Sequence, residues 1–149
     1  MKESKNYDIT PTEYVYLSYN SLVAPHIPLL KTEVPSLGYR YDGKSLSPEK
    51  AEEIVYEVLE SIGETDLYYI LYKLGNCESG FDETKCGDHG VSCGWFQFKK
   101  DTFYHFCPEL KWENSEHQVI CAVRLIKLGL GHQPSGWYNC WRIENLPIL

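Results

Sequence analysis

The sequence predicts a small, mainly α (α+β) domain stapled by disulfides, with a short β or loop segment beside one helix. Three observations carry this. Apolar residues recur at helical spacing from Ala51 to Ile62, from Leu67 to Leu74 and from Val119 to Leu128. Gly80, Gly87, Gly90 and Gly94 interrupt the stretch that separates the second run from the third. All 6 cysteines follow residue 76. The chain has 149 residues, enough for one domain with a sizeable core and too few for two large ones.

Residues 1–45 read differently from the rest. Pro11, Pro25, Pro28 and Pro35 interrupt them, and Tyr7, Tyr14, Tyr16, Tyr19, Tyr39 and Tyr41 punctuate them. No helical period survives prolines at this spacing. Glu13–Tyr19 suits a short strand or a single helical turn. The expectation is a Pro/Tyr-rich N-terminal arm, residues 1–45, packed on a domain of residues 46–149. A disordered linker is the alternative, and the density of Tyr and Leu counts against it.

The first helix begins at Ser47, a good N-cap, with Pro48 at the first helical position and acidic residues in the first turn. Ala51, Ile54, Val55, Val58, Leu59 and Ile62 form its apolar stripe, and Gly63 ends it. A second helix starts at Thr65 or Asp66, with Leu67, Ile70, Leu71 and Leu74 on one face and Glu78 at its end. A loop region follows over residues 79–98, with a short strand or hairpin expected between Val91 and Phe98. A third helix runs from Lys99 to Phe106 and stops near Pro108. The fourth takes Ser115 as its cap. Its apolar residues, Val119 to Leu128, cover more than one face, which predicts a buried helix closed by Gly129 and Gly131. The tail from Gly136 to Trp141 is aromatic, and Cys140 is placed to pin it to the core.

Composition excludes several classes of function. A net charge of -7 argues against nucleic-acid binding, which needs clustered Lys and Arg. The one basic doublet, Lys99-Lys100, reads as a solvated helix start. The same charge opposes, mildly, attack on an anionic polymer. No window offers roughly 18 apolar residues in a row, so no membrane span is expected. The first eight residues, Met1 to Asp8, lack the apolar core of a signal peptide. They suit either a chain not exported by that route or a mature chain with an added Met. The even cysteine count argues for export, because disulfides persist in oxidising compartments. A secreted or cell-envelope monomer is therefore expected.

Cys77-Glu78-Ser79-Gly80-Phe81 carries the chemistry. A carboxylic acid where a helix ends and a cleft begins is partly desolvated, which keeps its proton near neutral pH. The negative end of the helix dipole pushes the same way. A general acid for glycosidic cleavage needs that proton. The bland reading is a solvated glutamate closing a helix.

The ordered set Cys77-Glu78-Ser79-Gly80-Phe81-Asp82, Gly94-Trp95-Phe96-Gln97, a buried helix and Gly136-Trp137 resembles the lysozyme-like lytic transglycosylases. It is also similar to the resuscitation-promoting factor domains, which share that fold. The resemblance covers about residues 65–141. It implies that Glu78 protonates the glycosidic oxygen between N-acetylmuramic acid and N-acetylglucosamine, then accepts a proton from the muramyl C6 hydroxyl as a 1,6-anhydro product forms. It implies no cofactor, and it implies peptidoglycan or another aminosugar polymer such as chitin as substrate. Gln97 matches a position lining the sugar site, and Ser92 and Gly94 match neighbouring ones. Trp95 replaces the usual aliphatic residue. Of the aromatic residues able to stack on sugar (Trp95, Tyr104, Trp137, Tyr138, Trp141), Tyr138 and Trp141 are the chosen pair, although each is more often core than platform. By resemblance Cys77 pairs with Cys140. Cys86 with Cys93 would then close the loop, and Cys107 with Cys121 would join the third and fourth helices.

Hydrolysis usually needs a second carboxylate. Asp88 is the better candidate and Asp101 the poorer, while Gly87-Asp88-His89-Gly90 is also good turn chemistry. The turn reading is preferred, so transglycosylation is favoured over hydrolysis. Two competing functions belong to other classes. One is a non-catalytic glycan-binding or structural envelope protein on a lysozyme-like fold. The other is an intracellular zinc module using Cys86, His89, Cys93 and either Cys107 or His105, whose spacing is untidy for such a site.

Overall fold

The computed structural model describes residues 46–149. The expected arm, residues 1–45, lies outside the described residues. Helix α1 spans Pro48–Ile62, with the Ser47 hydroxyl accepting from Lys50 N at 3.1 Å. It buries Ala51, Ile54, Val55, Val58 and Leu59, the stripe that the sequence spacing marks. A 3-10 turn over Thr65–Leu67 leads into α2, Tyr68–Ser79, which buries Ile70, Leu71 and Leu74 and is capped by Gly80.

Three two-residue strands follow: β1 Cys86–Gly87, β2 Ser92–Cys93 and β3 Phe98–Lys99. They form one antiparallel sheet in the order β1-β2-β3. The expected hairpin corresponds to β2 and β3; β1 is an addition from before the expected window. Gly87 pairs with Ser92, and Ser92 with Lys99, so these residues make one row across the sheet. Cys86 and Cys93 stand opposite each other in the next row and are bonded as a disulfide.

Helix α3 spans Lys100–Phe106 and α4 spans Ser115–Lys127. The N-cap of α4 is Asn114, not Ser115: Asn114 has an extended backbone, and its side chain accepts from His117 N at 3.0 Å. Ser115 is already helical, and an N-cap needs a non-helical backbone to aim its oxygen at the first turn. Helix α4 is buried on nearly every side and packs against α1, α2 and α3. A short helix α5, Tyr138–Ile143, closes the structure against α2.

One core runs through these elements, from Ile54 and Leu59 through Leu71 and Leu74 to Phe103, Val119, Leu125 and Trp141. Disulfides join Cys77 to Cys140, Cys86 to Cys93, and Cys107 to Cys121. The first ties the end of α2 to α5, and the third ties the end of α3 to α4. Cys86, Cys93 and Cys107, three of the ligands in the zinc alternative, are thus engaged as disulfides. No described helix is long and apolar enough to cross a membrane.

Candidate active site

The site is built where α2 ends. Ser79, the last residue of α2, is buried, and its hydroxyl donates to Trp95 O at 2.8 Å while accepting from Phe81 N at 3.0 Å. The helix end is thereby bonded to the Gly94–Gln97 stretch, and the preceding residue, Glu78, is held beside the sheet. Gln118 of α4 secures the same stretch from below. Its Nε2 donates to Cys93 O at 3.1 Å and Trp112 O at 2.9 Å, and its Oε1 accepts from Phe96 N at 3.1 Å. Two indoles hold the following carbonyls: Trp137 Nε1 donates to Phe96 O at 2.8 Å and Trp112 Nε1 to Phe98 O at 2.9 Å.

Above this floor lies a cavity of about 630 Å³, walled by Glu78, Gly87, Asp88, Ser92, Gln97 and Lys99 on one side and by Pro134 to Asn139 on the other. Glu78 is half-buried. Burial pushes its carboxyl up to about 7; the negative charge of Asp88 adds to the rise, and the Lys85 ammonium works against it. The main cause is therefore desolvation at the cleft wall. A carboxyl with this proton affinity is about half protonated at neutral pH, so it can both give and take a proton there, which suits general acid–base work.

Asp88 is both a turn residue and a wall of the cavity. It takes a left-handed backbone, φ 50°, as does His89 at φ 60°. One carboxylate oxygen accepts from the Ser92 hydroxyl at 2.7 Å. Ser92 is buried, so this bond fixes the Asp88 carboxylate toward the cavity that both residues line. Gln97 also has a left-handed backbone, φ 51°. Its Nε2 donates to Lys85 O and Gly94 O, each at 2.9 Å. Both neighbours are carbonyls, so the amide orientation is determined, and its nitrogen is engaged in holding the loop. The Gln97 oxygen is the atom left for a ligand.

Of the sequence-selected residues, the cavity brings together Glu78, Asp88, Ser92, Gln97 and Tyr138. Tyr138 is 48% exposed, with the Arg142 guanidinium 5.5 Å from its ring centroid. Two of the chosen ligand-binding residues are elsewhere. Trp141 is core: it is 5% exposed, and its Nε1 donates to Pro147 O at 3.2 Å. Its ring fills the space beside Gly131, where a Cβ would lie 2.6 Å from it. A buried indole contributes more through apolar area than an exposed one. Gly94 does not line the cavity. It lies beneath, at φ 91°, and a Cβ there would meet Gln118 Nε2 at 2.4 Å. Its role is to let the loop approach α4. Trp95 is fully buried against Phe81.

Sequence reasoning missed Lys99, Thr102, Ser135 and Asn139 on the wall. It also missed Gln118 and did not separate Ser79 from the motif around it. Gln118 carried a usable signal: an amide at the head of a predicted buried helix must find partners. The wall residues carried none, because they come from β3, α3, the turn before α5 and α5 itself, which are separate in sequence. Comparison with protein-family models, with curated proteins and with solved structures found no match to this chain.

Proposed function

We propose that this chain is a glycan-cleaving enzyme on a lysozyme-like fold, a lytic transglycosylase or muramidase cutting the β-1,4 bond between N-acetylmuramic acid and N-acetylglucosamine. The observation that carries this is Glu78, a carboxyl with its proton affinity raised to about 7 on the wall of an open cavity of about 630 Å³. Such a cavity is the right size for part of a sugar chain. Glu78 would donate its proton to the glycosidic oxygen as that bond breaks. The resulting carboxylate would accept the proton of the muramyl C6 hydroxyl, whose oxygen attacks the anomeric carbon and closes the 1,6-anhydro ring. One carboxylate serves both steps. Tyr138 offers an aromatic plane, and the Gln97 oxygen an acceptor for an amide or hydroxyl donor. Three disulfides suit work outside the cytoplasm, in the envelope or beyond it.

A second reading is favoured by Asp88, whose carboxylate is oriented by Ser92 in the same cavity. It would serve as the second carboxylate of a hydrolase, as nucleophile or as activator of water. Digestion of purified peptidoglycan, with products read by mass spectrometry, separates the readings. Anhydro products that vanish in Glu78→Gln support transglycosylation. Reducing-end products that vanish in both Glu78→Gln and Asp88→Asn support hydrolysis. Retention of the protein on the polymer without any product would instead support a glycan-binding envelope protein. If Glu78 is the acid, kcat/KM falls about tenfold per pH unit above roughly pH 7, since the free enzyme must hold the proton. A profile flat to about pH 9 would remove Glu78 from that role.

A further inference from the structure

Lys99 and Lys100 are adjacent in sequence but serve different surfaces. Lys100 sends its ammonium over the Trp112 ring, 5.5 Å from the centroid. Lys99 lines the cavity with Glu78. The cause is strand register: Lys99 pairs with Ser92, and paired residues of antiparallel strands project to one face. Ser92 faces the cavity, so Lys99 does too. Among the described residues Lys99 has no ion-pair partner. The wall also carries the carboxyl groups of Glu78 and Asp88 and, among the described residues, no second cation, in a chain of net charge -7. Long-range charge thus repels an anionic glycan, and Lys99 is the cation on the wall that meets it locally.

We infer that Lys99 is a specificity-determining residue that takes a carboxylate of the substrate, so that the cavity selects a carboxylate-bearing aminosugar polymer over a neutral one. This rests on the reading of the cavity as a glycan cleft. The carboxylate has two sources in a muramyl glycan, the lactyl ether when it is free and the stem peptide when it is attached. Chitin has neither. An ammonium on a flexible stem suits a carboxylate whose position varies along the polymer, because it acts as a point charge.

The test is equilibrium binding of the full chain carrying Glu78→Gln, which is expected to hold glycan without cutting it. The probes are chitin oligosaccharide, peptide-free glycan strands with free lactyl groups, and peptide-bearing glycan strands, each at low and high salt. Adding Lys99→Gln should weaken binding to carboxylate-bearing strands about fivefold at low salt and less at high salt. Adding Lys100→Gln, which removes the same charge from the neighbouring position, should not. Lys99→Arg should restore most of the affinity. Loss on peptide-free strands assigns the lactyl group, and loss confined to peptide-bearing strands assigns the stem. Equal weakening by the two glutamine variants, or an equal Lys99→Gln effect on chitin, overturns the inference. Cleavage by the unaltered chain without a Lys99 effect overturns the lysine's role alone. A Lys99 effect without cleavage overturns the enzyme and leaves a carboxylate-selecting binder.

Discussion

In the helical body, α1, α2 and α4 bury Val55, Leu59, Leu71, Leu74, Val119 and Leu125 almost completely. Residues 80–99 bury their aromatic residues, Phe81, Trp95, Phe96 and Phe98, but little aliphatic surface. Their order comes from directed bonds by Ser79, Gln97, Gln118, Trp112 and Trp137, and from the Cys86–Cys93 disulfide. Left-handed non-glycine residues cluster there as well: Phe81, Asp88, His89 and Gln97, with Asn145 the exception. Each such residue costs roughly 1–2 kcal/mol. Area burial is non-directional and tolerates no strain of its own making, whereas polar bonds and a cross-link can hold a backbone in an unfavourable shape. The body supplies stability, and the loop spends some of it to aim Asp88 and Gln97 at the cavity beside Glu78.

This contrast can be broken from either side. The largest effect on stability belongs to the body. Replacing Cys77 and Cys140 by serine opens a link with a sequence separation of 63, which the chain-entropy model values at about 4 kcal/mol. Chemical denaturation should show that loss, with α5 freed from the end of α2. Gly94→Ala comes next, at about 3 kcal/mol or more, because the new Cβ collides with Gln118 in a left-handed position. Turnover per folded molecule should fall with it; an unchanged melting temperature would mean that the loop does not lean on α4.

Opening the loop's own link, Cys86 to Cys93, with a separation of 7, should cost about 2.5 kcal/mol. Its effect on activity should exceed that of the Cys77–Cys140 pair when both are assayed well below their melting points. The reverse order would show that the loop holds its shape without the cross-link. The smallest effect is the most diagnostic. The Glu78 carboxyl is raised from 4.5 to about 7, so the folded state binds its proton more tightly than the unfolded state does. Stability therefore falls as pH rises from about 4.5 to 7, and the penalty is complete above that range. Glu78→Gln should be the more stable protein at pH 8 by about 1–2 kcal/mol, after screening at the open cleft, with the gap closing near pH 4.5. Equal melting at both pH values would mean that Glu78 is not desolvated.

Ser47, Pro48, Gly63, the apolar stripes of α1 and α2 and the buried character of α4 were legible in the chain, because helical caps and periodicity are local. The placement of Glu78 at a helix end was legible for the same reason. The cysteine pairs of the structure are Cys77–Cys140, Cys86–Cys93 and Cys107–Cys121, the set that follows from the family resemblance; the sequence alone leaves the pairing open. Tertiary packing decided the rest. It took Trp141 into the core because an indole buries more area there, and it put Gly94 under the cavity instead of on its wall. It split Lys99 from Lys100 through strand register, a one-residue shift that no propensity encodes. It made Gln118 the support of the loop and Ser135 and Asn139 part of the wall, since residues far apart in sequence meet only when the chain is folded. The proton affinity of Glu78 belongs to that second group: the sequence placed a carboxyl at the edge of a helix, and burial among its neighbours decided what it can do.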